Sequence, residues 1–179
     1  MRGFTIVELV ITMLIAIILV TLALPSFREL MIRNNVTETT NRLVHDLSLA
    51  RSEAVRRGVQ VELVNTGGGA SWASGWAVKA DSDPIPANVN SFPTVVINAA
   101  GAPADYSVCA KASGATTPAG DQNVIFNSTG ALNHATKVDI NIMRPDGDQA
   151  QSQYISVSIS GVVTSGKIGT STPVAPTSC

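Results

Sequence analysis

The residue that most needs a chemical explanation is Glu8. It stands inside a run from Phe4 to Leu24 that is otherwise apolar but for Thr5, Thr12 and Thr21. If that run crosses a bilayer, the carboxylate costs on the order of 3 kcal/mol and calls for a cationic partner. A free α-amine on Phe4, from the same chain or a neighbour, would be a suitable one. A cut between Gly3 and Phe4 would create it. The second pair with chemistry is Cys109 and Cys179, the two cysteines of the chain. Behind a membrane segment they read as one disulfide in an oxidising compartment. The bridge would tie down a tail carrying Pro173 and Pro176, and the chain-entropy estimate for so long a loop is roughly 4 kcal/mol.

The remaining titratable residues are poor material for catalysis, which needs a nucleophile with a base, paired acids in a pocket, or a metal cluster. His45 lies on a helical pattern and His134 in a turn, with nothing in the sequence to bring them together. Asp81-Ser82-Asp83 and Asp146-Gly147-Asp148 offer oxygen ligands for Ca²⁺, but no downstream acid completes a loop of the EF-hand type, and both read as turns. Asn65 to Gly69 is glycine-rich without the Lys-Ser/Thr of a phosphate cradle. No catalytic residue, cofactor or metal is expected. Arg51, Arg56 and Arg57 could contact phosphates. Nevertheless, from Val59 onward five basic residues face eight acidic ones, so the three arginines read as a helix end rather than as part of a basic surface.

These residues are positioned by two kinds of element. Phe4 to Leu24 is 21 residues, about 30 Å as a helix, which matches a bilayer's hydrocarbon core. It is longer than the apolar region of a secretory signal, and no A-x-A site follows. Beyond it, Leu43, Leu47, Ala50 and Ala54 repeat at helical spacing. Gly58 is the expected C-cap, with arginines in the last turns complementing the dipole. The pattern predicts one helix from Phe4 to Arg57, loosened near Pro25. Asn34 and Asn35 interrupt the stripe, where the helix would pass from its neighbours to its own domain. Strands are expected at 59–64, 76–80, 94–97, 124–127, 137–143 and 154–160, with a hairpin loop at 144–148 and an exposed loop at 81–90.

Gly3-Phe4-Thr5-Ile6-Val7-Glu8-Leu9 resembles the class III signal of type IV pilins and type II secretion pseudopilins. The resemblance implies cleavage after Gly3, N-methylation of Phe4 by a prepilin peptidase, and a role for Glu8 in pairing with a neighbour's amine during filament assembly. Pro25 falls where such chains carry a helix-bending proline. The three-residue leader is short for the pattern, which leaves room for a start codon upstream. Ala50-Arg51-Ser52-Glu53-Ala54 before Gly58, Ser74-Gly75-Trp76 before Asp81, Ile125-Phe126 before Gly130, and Ile155 to Gly161 follow an order similar to the GspH/FimT-like group of minor pilins and pseudopilins.

The implied fold is α+β: a long N-terminal helix packed on a small antiparallel β-sandwich or sheet domain. Residues 1–3 form the leader, 4–25 the membrane or filament-core half of the helix, 26–58 its amphipathic half and 59–179 the β-rich domain. The implied function is that of a minor pilin, inserted in the inner membrane with a periplasmic domain, processed, and assembled with other pilins in an extracellular filament. A pseudopilin of a type II secretion system is the alternative. Some members of the group bind DNA through Gly-Arg-x-Arg after the last long strand. The matching stretch here is Gly161-Val162-Val163-Thr164. It lacks both arginine forks, and Lys167 alone does not replace them, so DNA binding is disfavoured.

Overall fold

The computed structural model describes residues 3–67, 71–81, 94–103, 105–112 and 123–169. The anticipated loop at 81–90 lies outside them beyond Asp81, and so do Pro173, Pro176 and Cys179. Helix α1 runs over Ile6–Arg57, 52 residues, and continues through position 25. Its contacts divide the chain between Asn34 and Asn35, into Met1–Asn34 and Asn35–Cys179. These are the two asparagines that break the apolar stripe.

In the first unit every described residue from Gly3 to Leu24 is exposed, and the run is long and apolar enough to cross a membrane. Its threonines hide their hydroxyls within the helix. Thr12 Oγ1 donates to the Leu9 carbonyl at 2.9 Å and Thr21 Oγ1 to that of Ile18 at 2.8 Å. Such back-bonding lets a hydroxyl enter hydrocarbon without losing its partner.

In the second unit the predicted stripe is the buried face. Leu43, Leu47, Ala50 and Ala54 are fully buried, and Val36 extends the line two turns earlier. The helix stops where the backbone turns left-handed: Gly58 has φ +70°, and its N–H donates to the Ala54 carbonyl at 2.9 Å. A glycine carries that conformation without the Cβ penalty.

Among the described residues, eight strands form two four-stranded antiparallel sheets. The first has the order β3(Thr94–Ala100)-β2(Gly75–Ala80)-β1(Val61–Asn65)-β5(Val124–Phe126). The second has the order β4(Ser107–Ala112)-β6(Val138–Met143)-β7(Gln153–Val157)-β8(Val163–Lys167). Register aligns apolar rows across each sheet: Leu63 faces Val78 and Val124, and Ile140 faces Ala110 and Ile155. The helix is bonded to both sheets. Trp76 of β2 donates its indole N–H to Asp46 at 2.8 Å, and Gln153 of β7 donates to Thr37 Oγ1 at 3.3 Å.

Three expectations are corrected. Strand β4 was not anticipated, because Ser-Val-Cys-Ala-Lys-Ala has little of the branched and aromatic character of a strand. The strand expected at 154–160 ends at Val157, and Ser158 to Gly161 form a tight turn instead. Gly161 N–H donates to the Ser158 carbonyl at 2.8 Å, and Gly161 has φ +79°. Ile159 falls in that turn and is exposed. A further strand, β8, then follows the stretch read as lying beyond the last long one.

Candidate assembly site

At the N-terminal end, residues 3–5 are not helical, and Gly3 and Phe4 are exposed. Thr5 caps the helix: its hydroxyl accepts from the Glu8 N–H at 3.3 Å, and its carbonyl from Leu9 at 3.2 Å. Glu8 thus occupies the first turn, where the positive end of the dipole favours an acid. The Thr-x-x-Glu spacing of Thr5 and Glu8 is the sequence signal of this cap. Among the described residues no cation reaches the Glu8 carboxylate. A Cβ built at Gly3 meets nothing within 4 Å, so the chain itself sets no steric demand for glycine there.

The three arginines at the helix end are engaged. Arg56 grips Glu53 with Nε at 2.9 Å and Nη2 at 2.6 Å, and Arg57 Nε reaches the same carboxylate at 2.6 Å. The hydrogen bonds from Arg56 lead in holding the Glu53 carboxyl down at about 2. Arg51 donates to the carbonyls of Gly130 at 3.0 Å and Ser160 at 3.3 Å, joining two turns at the end of the sandwich. Lys167 closes β8, about 13 Å along the strand from Val163 at the usual rise.

The histidines stay apart. His45 is exposed and lies 3.2 Å from Asp46, while His134 is half-buried and accepts the Ile125 N–H at 3.4 Å. Asp46 is the residue the sequence reading missed. It is buried, and its carboxylate takes the Trp76 indole N–H, with the Arg42 guanidinium 6.0 Å from the ring centroid. In Asp146-Gly147-Asp148 both acids have partners. The buried Arg144 forks onto Asp146 at 3.0 and 2.6 Å, and Asp148 caps a short 3-10 turn through the Ala150 N–H at 3.0 Å. Asp81 is described, but Ser82 and Asp83 are not. Among the described residues no group of three or more His, Cys, Asp or Glu side chains could hold a metal. Cys109 is buried on β4 and disulfide-bonded.

Glu62 on β1 is buried, accepts from Asn123 at 3.1 Å and faces Lys79 across the strand pair. Burial pushes its carboxyl above the ordinary value, against the pull of Lys79. A folded value above the unfolded one means the native state binds more protons in that window, so stability falls as pH rises through it. Glu62→Gln is therefore expected to raise stability at pH 7 and to flatten the pH profile from about 4.5 upward. Urea titrations at a series of pH values check this.

Residues 39–161 match the family model described as type II transport protein GspH, about two-thirds of the sequence. The chain belongs to this family. No curated protein sequence matches it significantly. Among solved structures, the type IV minor pilin FimU of Pseudomonas aeruginosa superposes with a TM-score of 0.59 at 19% identity, covering 74% of this chain and 88% of that one. The minor pseudopilin EpsH from the type 2 secretion system of Vibrio cholerae gives 0.52 at 10% identity, covering 75% and 98%. The fold is that of minor pilins and pseudopilins, as the resemblance implied.

Proposed function

We propose that the chain is a minor pilin of a type IV pilus, anchored in the inner membrane by residues 4–25 with its β domain in the periplasm, and then built into the filament beside other pilins. The carrying observation is one acid, Glu8, in the exposed, bilayer-length half of α1 in a chain of the GspH family. The role is structural rather than catalytic. A prepilin peptidase cuts between Gly3 and Phe4 and methylates the new amine. In support, that bond lies in exposed, non-helical backbone. Glycine is not required there by the chain's own packing, so its use points to an external reader. The cut leaves the Thr5 cap in place. Pro25, which has no N–H to give the helical ladder, is the bend point.

The test is to label the chain, shear surface filaments and fractionate. Presence in the pilus fraction supports the reading, and retention in the membrane of cells that make pili contradicts it. A type II secretion pseudopilin is the second reading, favoured by the description of the matching family. It predicts the chain in a periplasmic pseudopilus and a secretion defect on deletion. DNA uptake is disfavoured, since Val162 and Thr164 stand where the arginine pair would act and Lys167 lies three residues further along β8.

Cys109 pairs with Cys179 in this reading. Replacing both by serine is expected to lower stability by about 4 kcal/mol on the chain-entropy estimate. Denaturation of the oxidised and reduced wild type should show the same loss, and equal midpoints would contradict the pairing.

A further inference from the structure

Among the described residues after Asn34, the large apolar side chains that stand exposed are Val55 at 54%, Ile159 at 55% and Val162 at 48%. They gather at one end of the sandwich. Val55 and Val162 line a groove of about 600 Å³, which runs between the last turns of α1 and the start of β8. Ile159 lies in the adjoining turn.

The groove is held in shape. Arg51 joins the turns at Gly130 and Ser160, and a Cβ on Gly161 would collide with the Gly130 carbonyl oxygen, so the two turns pack backbone to backbone. Its rim is cationic. Arg51 and Arg56 line it, and with Arg57, the next residue of the helix, they stand against the single acid Glu53, three charges against one, so the balance at this helix end is +2. The far side opens onto β8, the terminal strand of its sheet, whose outer edge is unpaired among the described residues. Such an edge accepts an added strand through its backbone groups.

We propose that this groove is a docking site for an extended segment of a neighbouring, different filament subunit. That segment places an apolar side chain between Val55 and Val162 and carboxylates on the arginine rim, and runs beside the edge of β8. Apolar walls select against a fully polar strand, the rim charge selects for Asp or Glu over Lys, and the open edge selects for extended backbone. The inference rests on the proposed filament role and specifies its contact surface.

The test uses the full chain in cells, with a photocrosslinking side chain at position 55 or 162, followed by filament shearing and mass spectrometry of the adducts. The expected adduct joins either position to an Asp- or Glu-containing segment of another pilin subunit. Arg56→Glu should lower its yield at least fivefold. Val162→Asp should lower incorporation without moving the melting temperature, because the side chain is exposed. Incorporation with no adduct, or with adducts to a basic segment, to a second copy or to the chain's own residues 170–179, overturns the inference and leaves the filament role standing. Failure of the wild-type chain to enter filaments overturns both.

Discussion

Glu8→Ala is expected to cut incorporation into filaments at least tenfold while leaving membrane insertion intact and the melting of the β domain unchanged. Removing the acid makes residence in lipid easier by on the order of 3 kcal/mol, so poor insertion cannot explain a loss. The helix start also survives, because the Thr5 cap accepts from the backbone N–H of residue 8 rather than from its side chain. What disappears, on the proposed role, is the charge that would meet a neighbour's Phe4 amine as the subunit leaves lipid. A tenfold loss is about 1.4 kcal/mol, a modest demand on an ion pair in a low-dielectric bundle. Quantitative blotting of membrane and sheared-filament fractions reads both quantities, and unchanged incorporation would remove the support for register by charge pairing.

The second large effect is expected at Trp76. Its side chain is fully buried against α1, and its N–H is bonded to the buried Asp46. Trp76→Ala should destabilise the β domain by about 3 to 5 kcal/mol, a large share of the 5 to 15 kcal/mol typical of a folded domain. Trp76→Phe keeps most of the apolar volume but strands the Asp46 carboxylate, for a loss of about 1.5 to 3 kcal/mol. Combining Trp76→Phe with Asp46→Asn should cost less than the two single losses added together, because the carboxylate that Trp76→Phe strands is then already neutral. Denaturant titration of the full chain in detergent measures the wild type and the four variants. A loss below about 1 kcal/mol for Trp76→Ala would contradict the helix-to-sheet anchor.

The long helix was legible in the sequence because its signals are strong and agree: a bilayer-length apolar run, a stripe of leucines and alanines at helical spacing, and Gly58 at the end. Strands with branched, alternating residues, such as β6 and β7, were legible for the same reason. β4 and β8 were not. Their short runs of Ser, Ala, Gly and Lys take strand form because neighbours pair with them, as β4 does with β6 and β8 with β7. Sheet order was likewise out of reach, since it depends on contacts far apart in sequence. At the site, Glu8 announced itself by its cost in an apolar run. Asp46 gave no such signal: an acid on a mixed helix face looks solvated until the partner thirty residues away is seen. The groove at Val55 and Val162 was hidden for a related reason, because it exists only where the helix end meets the turn that cuts short the anticipated strand.

The most direct test of the proposed role is intact-mass and N-terminal mass spectrometry of the chain recovered from native filaments. The expected mature protein begins at Phe4 and carries a methyl group on its amine, so that a cation is available for Glu8 of the next subunit. Filament-borne protein that retains Met1, Arg2 and Gly3 would contradict the proposed role, because the positive end that an acid in an apolar bundle requires would then never form at Phe4.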